Sequence, residues 1–248
     1  IGAFAQGDGI NTGGQARTPI GQLPNVEHNE QLFPLLFLYR KELPDSGGAG
    51  KFRGGLSAES CFIPHNTDHI TQDTLSSGNA IPTSTGMMGG FPSTTNAYTF
   101  IRDSDILDRM GDSRLIEDAS EVSGTAELLQ LRQENFVQNA ADVYAVRWSG
   151  GGGFGDPLRR EPERIAHDLE HLNITPEAAR DIFGAVLDAD GQVDVAATLE
   201  NRKQIRAARL ERLGNGNAAR ESHEGEVSLA AGDNLAVYGS RWACAHCA

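Results

Sequence analysis

The residues best suited to bind a metal are Cys244 and Cys247, which have two residues between them, one of them His246. Thiolates at this spacing are frequent zinc ligands, and zinc in a structural site takes four ligands. Two cysteines therefore supply half of a site, and the other ligands would have to come from another chain or from residues outside this sequence. The pair predicts a Zn²⁺ site, with an unliganded tail as the alternative.

A run of four glycines could bring the backbone close to a phosphate. Glycine has no side chain to block such an approach, so its amide donors stay accessible. The run lacks the Gly-Lys-Ser/Thr ending of a nucleotide-binding P-loop, and a structural turn that packs two regions together is the alternative. The four candidate cofactor-binding residues are Gly150, Gly151, Gly152 and Gly153.

A second glycine-rich string, residues 47–55, adds two cations to this chemistry. Lys51 and Arg53 carry an ammonium and a guanidinium group, which pair with phosphate or carboxylate through charge-assisted hydrogen bonds. We therefore predict that Lys51 and Arg53 take part in cofactor binding. The alternative is a structural loop in which both side chains form salt bridges inside the protein.

The histidines offer ligand chemistry at two further places. His65, Asp68 and His69 lie in a polar segment, where solvated side chains are expected. His167 and His171 stand four apart on a predicted helix, but they lack the Glu neighbour of a metal-binding helix and are expected to be exposed. No nucleophile and base can be paired from spacing alone, because catalytic groups meet in space. The sequence therefore identifies no catalytic residue.

Segments typical of β-strands must position the glycine strings. Residues 31–43 and 58–64 predict two strands that can pair with each other, and residues 143–148 alternate as a further strand. Cys61, alone in an apolar stretch, is expected to be buried. The alternate side chains predicted on one face of the first strand are Phe33, Leu35, Phe37 and Tyr39.

These strands predict a β-rich body that spans residues 1–157 and carries long glycine-rich loops. Residues 1–30 are predicted as loops because glycine and proline interrupt them repeatedly. Residues 65–105 are predicted as irregular β-structure with long loops. The first half of 127–148 has a pattern that also allows a helix. The fold class is α+β.

A helical segment is predicted over residues 158–213. Pro162 and Pro176 are each followed by an acidic residue, which suits the first turn of a helix. Residues 214–248 are predicted as a linker followed by the cysteine-containing tail. The three predicted helices span 161–171, 175–187 and 193–213.

Composition excludes several classes of partner. The chain has 248 residues and a formal net charge of -13, so its surface should repel phosphate backbones and anionic lipids. We expect no nucleic-acid partner and no membrane partner. No apolar run approaches the roughly 18 residues that cross a bilayer. A cytoplasmic protein is predicted.

Two groups of unusual strings resemble the C-terminal region of the hydantoinase B/oxoprolinase family, and within it the acetophenone and acetone carboxylase subunits. Their order and spacing together carry the resemblance. The first group is NVEHNE at 25–30 and PDSGGAGKFRGG at 44–55, and the second is SGGGGFGDP at 149–157 and PEAARDIFG at 176–184.

The resemblance implies a subunit of a multisubunit, ATP-dependent ketone carboxylase. It implies a hydantoinase-A-type partner that binds ATP and Mg²⁺ and phosphorylates the substrate oxygen, while the B-type subunit completes the carboxylation site. Two alternatives stay open. The first is a subunit of an ATP-dependent N-methylhydantoinase or 5-oxoprolinase, which hydrolyses a cyclic amide, and the second is a non-catalytic scaffold.

Family members of the B type are longer than this chain, and the motif associated with metal lies in an N-terminal part that this sequence does not contain. We therefore expect the chain to be a portion of a longer subunit. The resemblance assigns no catalytic residue to it.

Overall fold

Five strands form an antiparallel sheet in the first of the two units into which the chain divides, residues 1–198 and 199–248. The sheet follows the alternation of apolar side chains that the sequence predicts. The structure is a computed structural model, and it describes residues 1–12, 25–130 and 132–212 and the backbone of 227–230, 235–238 and 241–244.

Antiparallel sheets and helices make up the fold, which confirms the predicted α+β class. In chain order the elements are α1 (Val26–Leu32), β1 (Leu35–Glu42), β2 (Ala58–Pro64), β3 (His69–Leu75), β4 (Ala97–Arg102), α2 (Ile106–Gly111), β5 (Thr125–Leu128), β6 (Arg132–Asn139), β7 (Val143–Arg147), α3 (Pro162–Glu170), α4 (Pro176–Asp181) and α5 (Val195–Arg212).

The central sheet has the strand order β1-β2-β7-β4-β5 and contributes residues to two core clusters. Along β7, Val143 and Ala145 join one core cluster, whereas Tyr144 and Val146 join another. This alternation is the one predicted from the sequence. It arises because successive side chains of a strand point to opposite faces.

A bulge in β1 changes which of its side chains share a face. The pairing with β2 shifts register between Phe37 and Tyr39, so the strand gains one residue there. As a result Tyr39 packs with Leu36 and Leu38 on one face, while the Phe37 ring lies 5.7 Å from the ring of Phe62 on the other. The prediction that Phe37 and Tyr39 share a face was wrong.

An aromatic cluster fills the space between the sheet and the two-stranded ribbon of β3 and β6. The ring centroids of Phe100, Phe136 and Tyr144 lie 5.5 to 6.0 Å apart, with the planes tilted or perpendicular. Such edge-to-face pairs add about 1 kcal/mol each beyond the area that they bury. The cluster fixes the ribbon on the sheet.

Two other sequence expectations also needed correction. Residues 26–30, predicted as loop, and residues 31–32, predicted as the start of the first strand, form α1. The side chain of Asn25 accepts a hydrogen bond from the amide of His28 at 3.0 Å and caps the helix. The stretch with a helix-compatible pattern before β7 forms β5 and β6 instead. In β6, Phe136 and Gln138 are buried two residues apart, which is the period of a strand.

Helices α3 and α4 begin as predicted, each with proline at the first helical position. However, α4 ends at Asp181 rather than near 187. Gly184 takes a left-handed conformation (φ +63°), and the amide of Ala185 donates to the carbonyl of Ala179, which closes the helix end.

Among the described residues no helix is both long and apolar enough to cross a membrane.

The second unit contains the strands β8 (Val227–Ala230), β9 (Leu235–Tyr238) and β10 (Arg241–Cys244), which form an antiparallel sheet of their own. The predicted linker at 214–226 lies outside the described residues. Helices α3 and α4 belong to the same unit as the sheet. The predicted boundary between a body and a helical segment at residue 157 stays a prediction.

The thiol of Cys61 is fully buried, and burial raises its pKa to about 12. Because the thiolate is the reactive species, the thiol should be inert near neutral pH. In a chain with Cys244→Ser and Cys247→Ser, where Cys61 is the remaining cysteine, we expect no reaction with a disulfide reagent at pH 8. Full reaction is expected in denaturant, and rapid labelling of the folded chain would contradict the burial.

Candidate functional site

The topology of the sheet brings the two glycine-rich strings together. Strands β2 and β7 are antiparallel neighbours, and Glu59 at the start of β2 pairs with Arg147 at the end of β7. The loop that enters β2 and the loop that leaves β7 therefore emerge at the same end of the sheet. Residues 43–57 and 148–156 run side by side there.

The two loops are joined by backbone hydrogen bonds. The amide of Gly48 donates to the carbonyl of Gly151 at 2.8 Å, and the amide of Gly151 donates to the carbonyl of Gly55 at 2.9 Å. Phe52 and Phe154 exchange both of their backbone hydrogen bonds, at 3.0 and 2.9 Å. The contact therefore satisfies buried amides in the way that a sheet does.

Two further segments complete this assembly. From residues 1–12, the amide of Ala3 donates to the carbonyl of Gly152 at 2.8 Å. From residues 85–93, the amide of Met87 donates to the carbonyl of Gly153 at 2.9 Å. We call the backbone assembly of residues 1–12, 46–57, 85–93 and 149–155 the glycine junction.

Glycine is required in the junction because neighbouring backbones lie where a side chain would begin. A Cβ added to Gly54 would lie 1.9 Å from the carbonyl oxygen of Gly151. Equivalent atoms on the glycine run would lie 2.2 to 2.3 Å from other carbonyl oxygens, a separation that real Cβ atoms do not show. The pairs are Gly150 with Ser46, Gly151 with Ile1, Gly152 with Thr85 and Gly153 with Ala49.

Packing in the glycine junction uses some of the amides of the glycine run that could contact a phosphate. Residues 150–153 are buried, and the amides of Gly151 and Gly153 donate to backbone carbonyls. These two amides therefore form hydrogen bonds inside the protein, which is what the alternative of a structural turn predicts. Ligand binding by the run stays a prediction.

A buried ionic cluster lies beside the junction and consists of Asp8, Arg53, Arg160 and Asp168. The guanidinium of Arg160, whose side chain is 1% exposed, donates to both oxygens of Asp8 at 2.7 and 2.9 Å. The same group donates to Asp168 at 2.6 Å. Bidentate pairing of this kind is the strongest that a carboxylate and a guanidinium form.

Arg53, predicted to contact a ligand, belongs to this cluster. Its Nε lies 3.4 Å from Asp168, and its Nη1 donates to the carbonyl of Gly54 at 2.7 Å and to Asn11 at 3.2 Å. The side chain is 5% exposed. Lys51 differs, because it is exposed and its ammonium lies 5.1 Å from the centre of the Phe52 ring.

The cluster shifts the titration of its members. Burial alone raises the pKa of Asp8, but the hydrogen bond and charge of Arg160 outweigh burial and lower it below the usual value. Burial lowers the pKa of Arg160, and the two carboxylates outweigh that effect and raise it. Both groups are therefore charged, and their mutual attraction offsets the cost of removing them from water.

Sequence reasoning missed three members of the ionic cluster. One signal was available for Asp168, since it stands three residues after Ile165 on the face of α3 that is buried. A carboxylate on the apolar face of a helix requires a buried partner. No pattern identifies Asp8 or Arg160 as that partner, because 152 residues separate them.

A cavity of about 90 Å³ lies between the glycine junction and α4. Its wall contains one carboxylate, that of Asp45, whose oxygens accept hydrogen bonds from the amide and hydroxyl of Thr175 at 3.0 and 2.7 Å. The rest of the wall consists of glycine and apolar residues. It is formed by Gly47, Ala49, Phe91, Pro92, Ile174, Ala178, Ile182 and Phe183.

The described part of the chain holds no group of three or more His, Cys, Asp or Glu placed to bind a metal. His65, Asp68 and His69 are exposed, as expected. The side chain of Cys244 and all of Cys247 lie outside the described residues. The Zn²⁺ site at Cys244 and Cys247 therefore stays a prediction.

The profile of the hydantoinase B/oxoprolinase family matches residues 1–157 of the chain. The match includes both glycine-rich strings and thus all four segments of the glycine junction. It ends where the 3-10 turn that leads to Arg160 begins.

Two curated relatives are similar over most of the chain. The acetone carboxylase alpha subunit of Xanthobacter autotrophicus is 31% identical over 227 residues, which cover 84% of this chain and 29% of the relative. The acetophenone carboxylase delta subunit of Aromatoleum aromaticum is 28% identical over 221 residues, which cover 85% and 32%. The chain thus spans about a third of the length of these relatives.

Solved structures share the fold. A nucleotide-free structure of acetone carboxylase superposes with a TM-score of 0.71 at 27% identity, covering 88% of this chain and 33% of that one. The ATP-dependent caprolactamase of Pseudomonas jessenii superposes with a TM-score of 0.63 at 25% identity, covering 82% and 32%. The α+β fold described above is therefore found in both enzymes.

Replacing Gly54 by alanine should destabilise the fold, because the new methyl would meet the backbone of Gly151, which cannot move aside. We expect the free energy of unfolding to fall by about 3 kcal/mol or more. Gly111→Ala is the matched control, since no atom lies within 4 Å of the position that its methyl group would take. Urea unfolding measures both, and equal effects would contradict the packing role.

Replacing Asp8 by asparagine should also destabilise the fold, because Asp168 would be left as the partner of two guanidinium groups. We expect a loss of about 3 kcal/mol at pH 7. The control is Asp112→Asn, which removes an exposed pair with Arg114 and should cost less than about 0.5 kcal/mol. Equal losses in the two variants would argue against a stabilising ionic cluster.

The effect of Asp8→Asn should depend on pH. A carboxyl whose pKa is lowered in the folded state contributes stability above its unfolded pKa of about 3.9 and loses it as the pH falls through the folded value. The difference in unfolding free energy between wild type and variant should be constant from pH 7 to about pH 5 and shrink below about pH 4. A difference that persists at lower pH would rule out this assignment.

Proposed function

The chain belongs to the hydantoinase B/oxoprolinase family, and from this premise we propose that it forms part of a cytoplasmic, multisubunit, ATP-dependent ketone carboxylase. The activities for which two similar proteins are named, acetone carboxylase and acetophenone carboxylase, support this assignment. The substrate class is a small ketone, and the product is a 3-oxo acid. A hydantoinase-A-type subunit is the proposed partner.

Some of the groups predicted to bind a cofactor are paired inside this chain. The cation nearest to the junction interior, Arg53, is paired with Asp168, and the amides of Gly151 and Gly153 donate to carbonyls. We therefore assign ATP and Mg²⁺ to the partner subunit. Bicarbonate supplies the carbon that forms the new carbon–carbon bond.

The role of this chain is to complete the carboxylation site, and the glycine junction is the observation that supports the role. It fixes four separate segments against each other through backbone contacts, so that groups on its surface are held in place. Preorganised positions are what a site needs when charge develops during reaction. Lys51 is the predicted binding residue whose side chain is exposed on this surface.

Hydrolysis of a cyclic amide is the second candidate reaction. The structural similarity to an ATP-dependent caprolactamase favours it, because that protein is named for a cyclic amide substrate. A scaffold without a catalytic role is the third candidate. The internal pairing of Arg53 favours it, since this cation is directed away from a ligand.

The two candidate reactions separate when the purified complex that contains this chain receives ATP, ¹³C-bicarbonate and acetone or acetophenone. The leading proposal predicts ATP consumption and a 3-oxo acid whose carboxyl carbon is labelled, as detected by NMR. ATP consumption with caprolactam, hydantoin or 5-oxoproline, and none with either ketone, would establish the amide reaction instead.

Substituting Lys51 tests whether the chain contributes directly to turnover. We expect Lys51→Ala to lower kcat/KM by at least about tenfold, the scale of a lost charge-assisted contact, with assembly of the complex unchanged. Lys51→Arg should retain most activity. Lys203→Ala, on the exposed face of α5, is the control. Unchanged turnover in Lys51→Ala would favour the scaffold.

A further inference from the structure

Arg147 is the last residue of β7, at the end of the sheet from which the glycine junction emerges. Val143 and Ala145 of the same strand belong to the core cluster that contains Cys61. Arg147 continues their face of the sheet, because alternate side chains of a strand share a face. The residue is half-buried, and its buried Nε forms no hydrogen bond with the described residues.

The neighbouring strands do not supply a partner for this guanidinium. Glu59 of β2 stands opposite Arg147 in the strand register. However, its carboxylate accepts a hydrogen bond from the hydroxyl of Tyr39 at 2.6 Å, and Tyr39 lies in β1, on the other side of β2. On the opposite flank the register pairs Arg147 with Ala97 of β4, which has no polar side chain. Within the described part of the chain the guanidinium therefore has no salt bridge.

A half-buried cation without a partner is costly, because burial removes part of its hydration and nothing replaces it. Lys41 lies in the same row across the sheet, opposite Glu59 on β1, and its ammonium donates to Asp118 at 2.8 Å. Arg147 lacks such a carboxylate among the described residues. Its guanidinium is a planar fork of donors that matches the two oxygens of a carboxylate. An anion from outside these residues would complete the pair.

We propose that Arg147 binds a small planar oxyanion, either bicarbonate or a carboxylate. The guanidinium carries one positive charge and Glu59 stands on the next strand, so a monoanion fits the site better than a dianion such as hydrogen phosphate. The choice of these two anions rests on the proposed function, in which bicarbonate is the co-substrate and a 3-oxo acid is the product. The existence of an anion site rests on the contacts of Arg147 alone.

The test follows thermal unfolding of the full chain at pH 8 in sealed cells with increasing bicarbonate, acetate or phosphate, while sodium chloride holds the ionic strength constant. Bicarbonate, acetate or both should raise the unfolding temperature, because an anion that binds only the folded chain stabilises it. Arg147→Met should weaken the affinity derived from this rise by more than about tenfold. Arg147→Lys should weaken it less, since its ammonium keeps the charge but lacks the planar fork.

The control is Arg132→Met, which removes an exposed arginine paired with Glu134 at 2.7 Å and should keep the full rise. Without added anion, Arg147→Met should unfold at the same temperature as the parent or higher, because methionine leaves no charge unpaired. A markedly lower temperature would reveal a stabilising partner inside the protein and overturn the proposal.

The proposal is also overturned if neither planar anion raises the unfolding temperature of the parent, if phosphate raises it more than both, or if Arg147→Met shows an equal rise. A rise that depends on Arg147, in a chain whose complex does not carboxylate ketones, would refute the proposed function and leave the anion site standing.

Discussion

The close approach of backbones in the glycine junction is the constraint on which the rest of the first unit depends. A carbonyl oxygen lies where the Cβ of Gly54 would be, and the same holds along the run at 150–153. Backbones that touch in this way exclude side chains, so the interior is made of hydrogen-bonded peptide groups. The sequence must therefore place glycine in both strings, whatever their further roles are.

The ionic cluster follows from the same geometry. The junction places residues 1–12 against Arg53, and this brings Asp8 into contact with the guanidinium of Arg160. Asp8 lies near the start of the family match, and Arg160 lies just beyond its end. The helix α3 adds Asp168, which lies between the two arginines. Removing any one charge leaves its partner buried, so the cluster couples the junction to the helical segment. The apolar cluster of Ala49, Ile165 and Phe183 packs beside it.

The sequence predicted the strands and helices whose signals are local. The alternation of β7 and the prolines of α3 and α4 are examples, because each depends on neighbours along the chain. The bulge in β1 was not predictable, since a single extra residue leaves the apolar pattern almost unchanged. The role of Asn25 as a helix cap was not predicted, because the glycines and prolines before it are typical of loops.

The candidate site was predicted only in part, because its contacts are between distant residues. The glycine strings were singled out, but their mutual packing depends on the pairing of β2 with β7, which one sequence does not reveal. Arg53 was predicted either to bind a cofactor or to form a salt bridge inside the protein, but its partner Asp168, 115 residues away, was not predicted.

Amide hydrogen exchange tests most directly whether the junction is a rigid packing element rather than an open loop. We expect the amides of Gly48, Gly151 and Gly153 to exchange as slowly as those of Ile63 and Val143 in the central sheet, because all open in one cooperative unfolding step. Fast exchange at the three glycines, with slow exchange retained at the two sheet residues, would contradict a rigid junction.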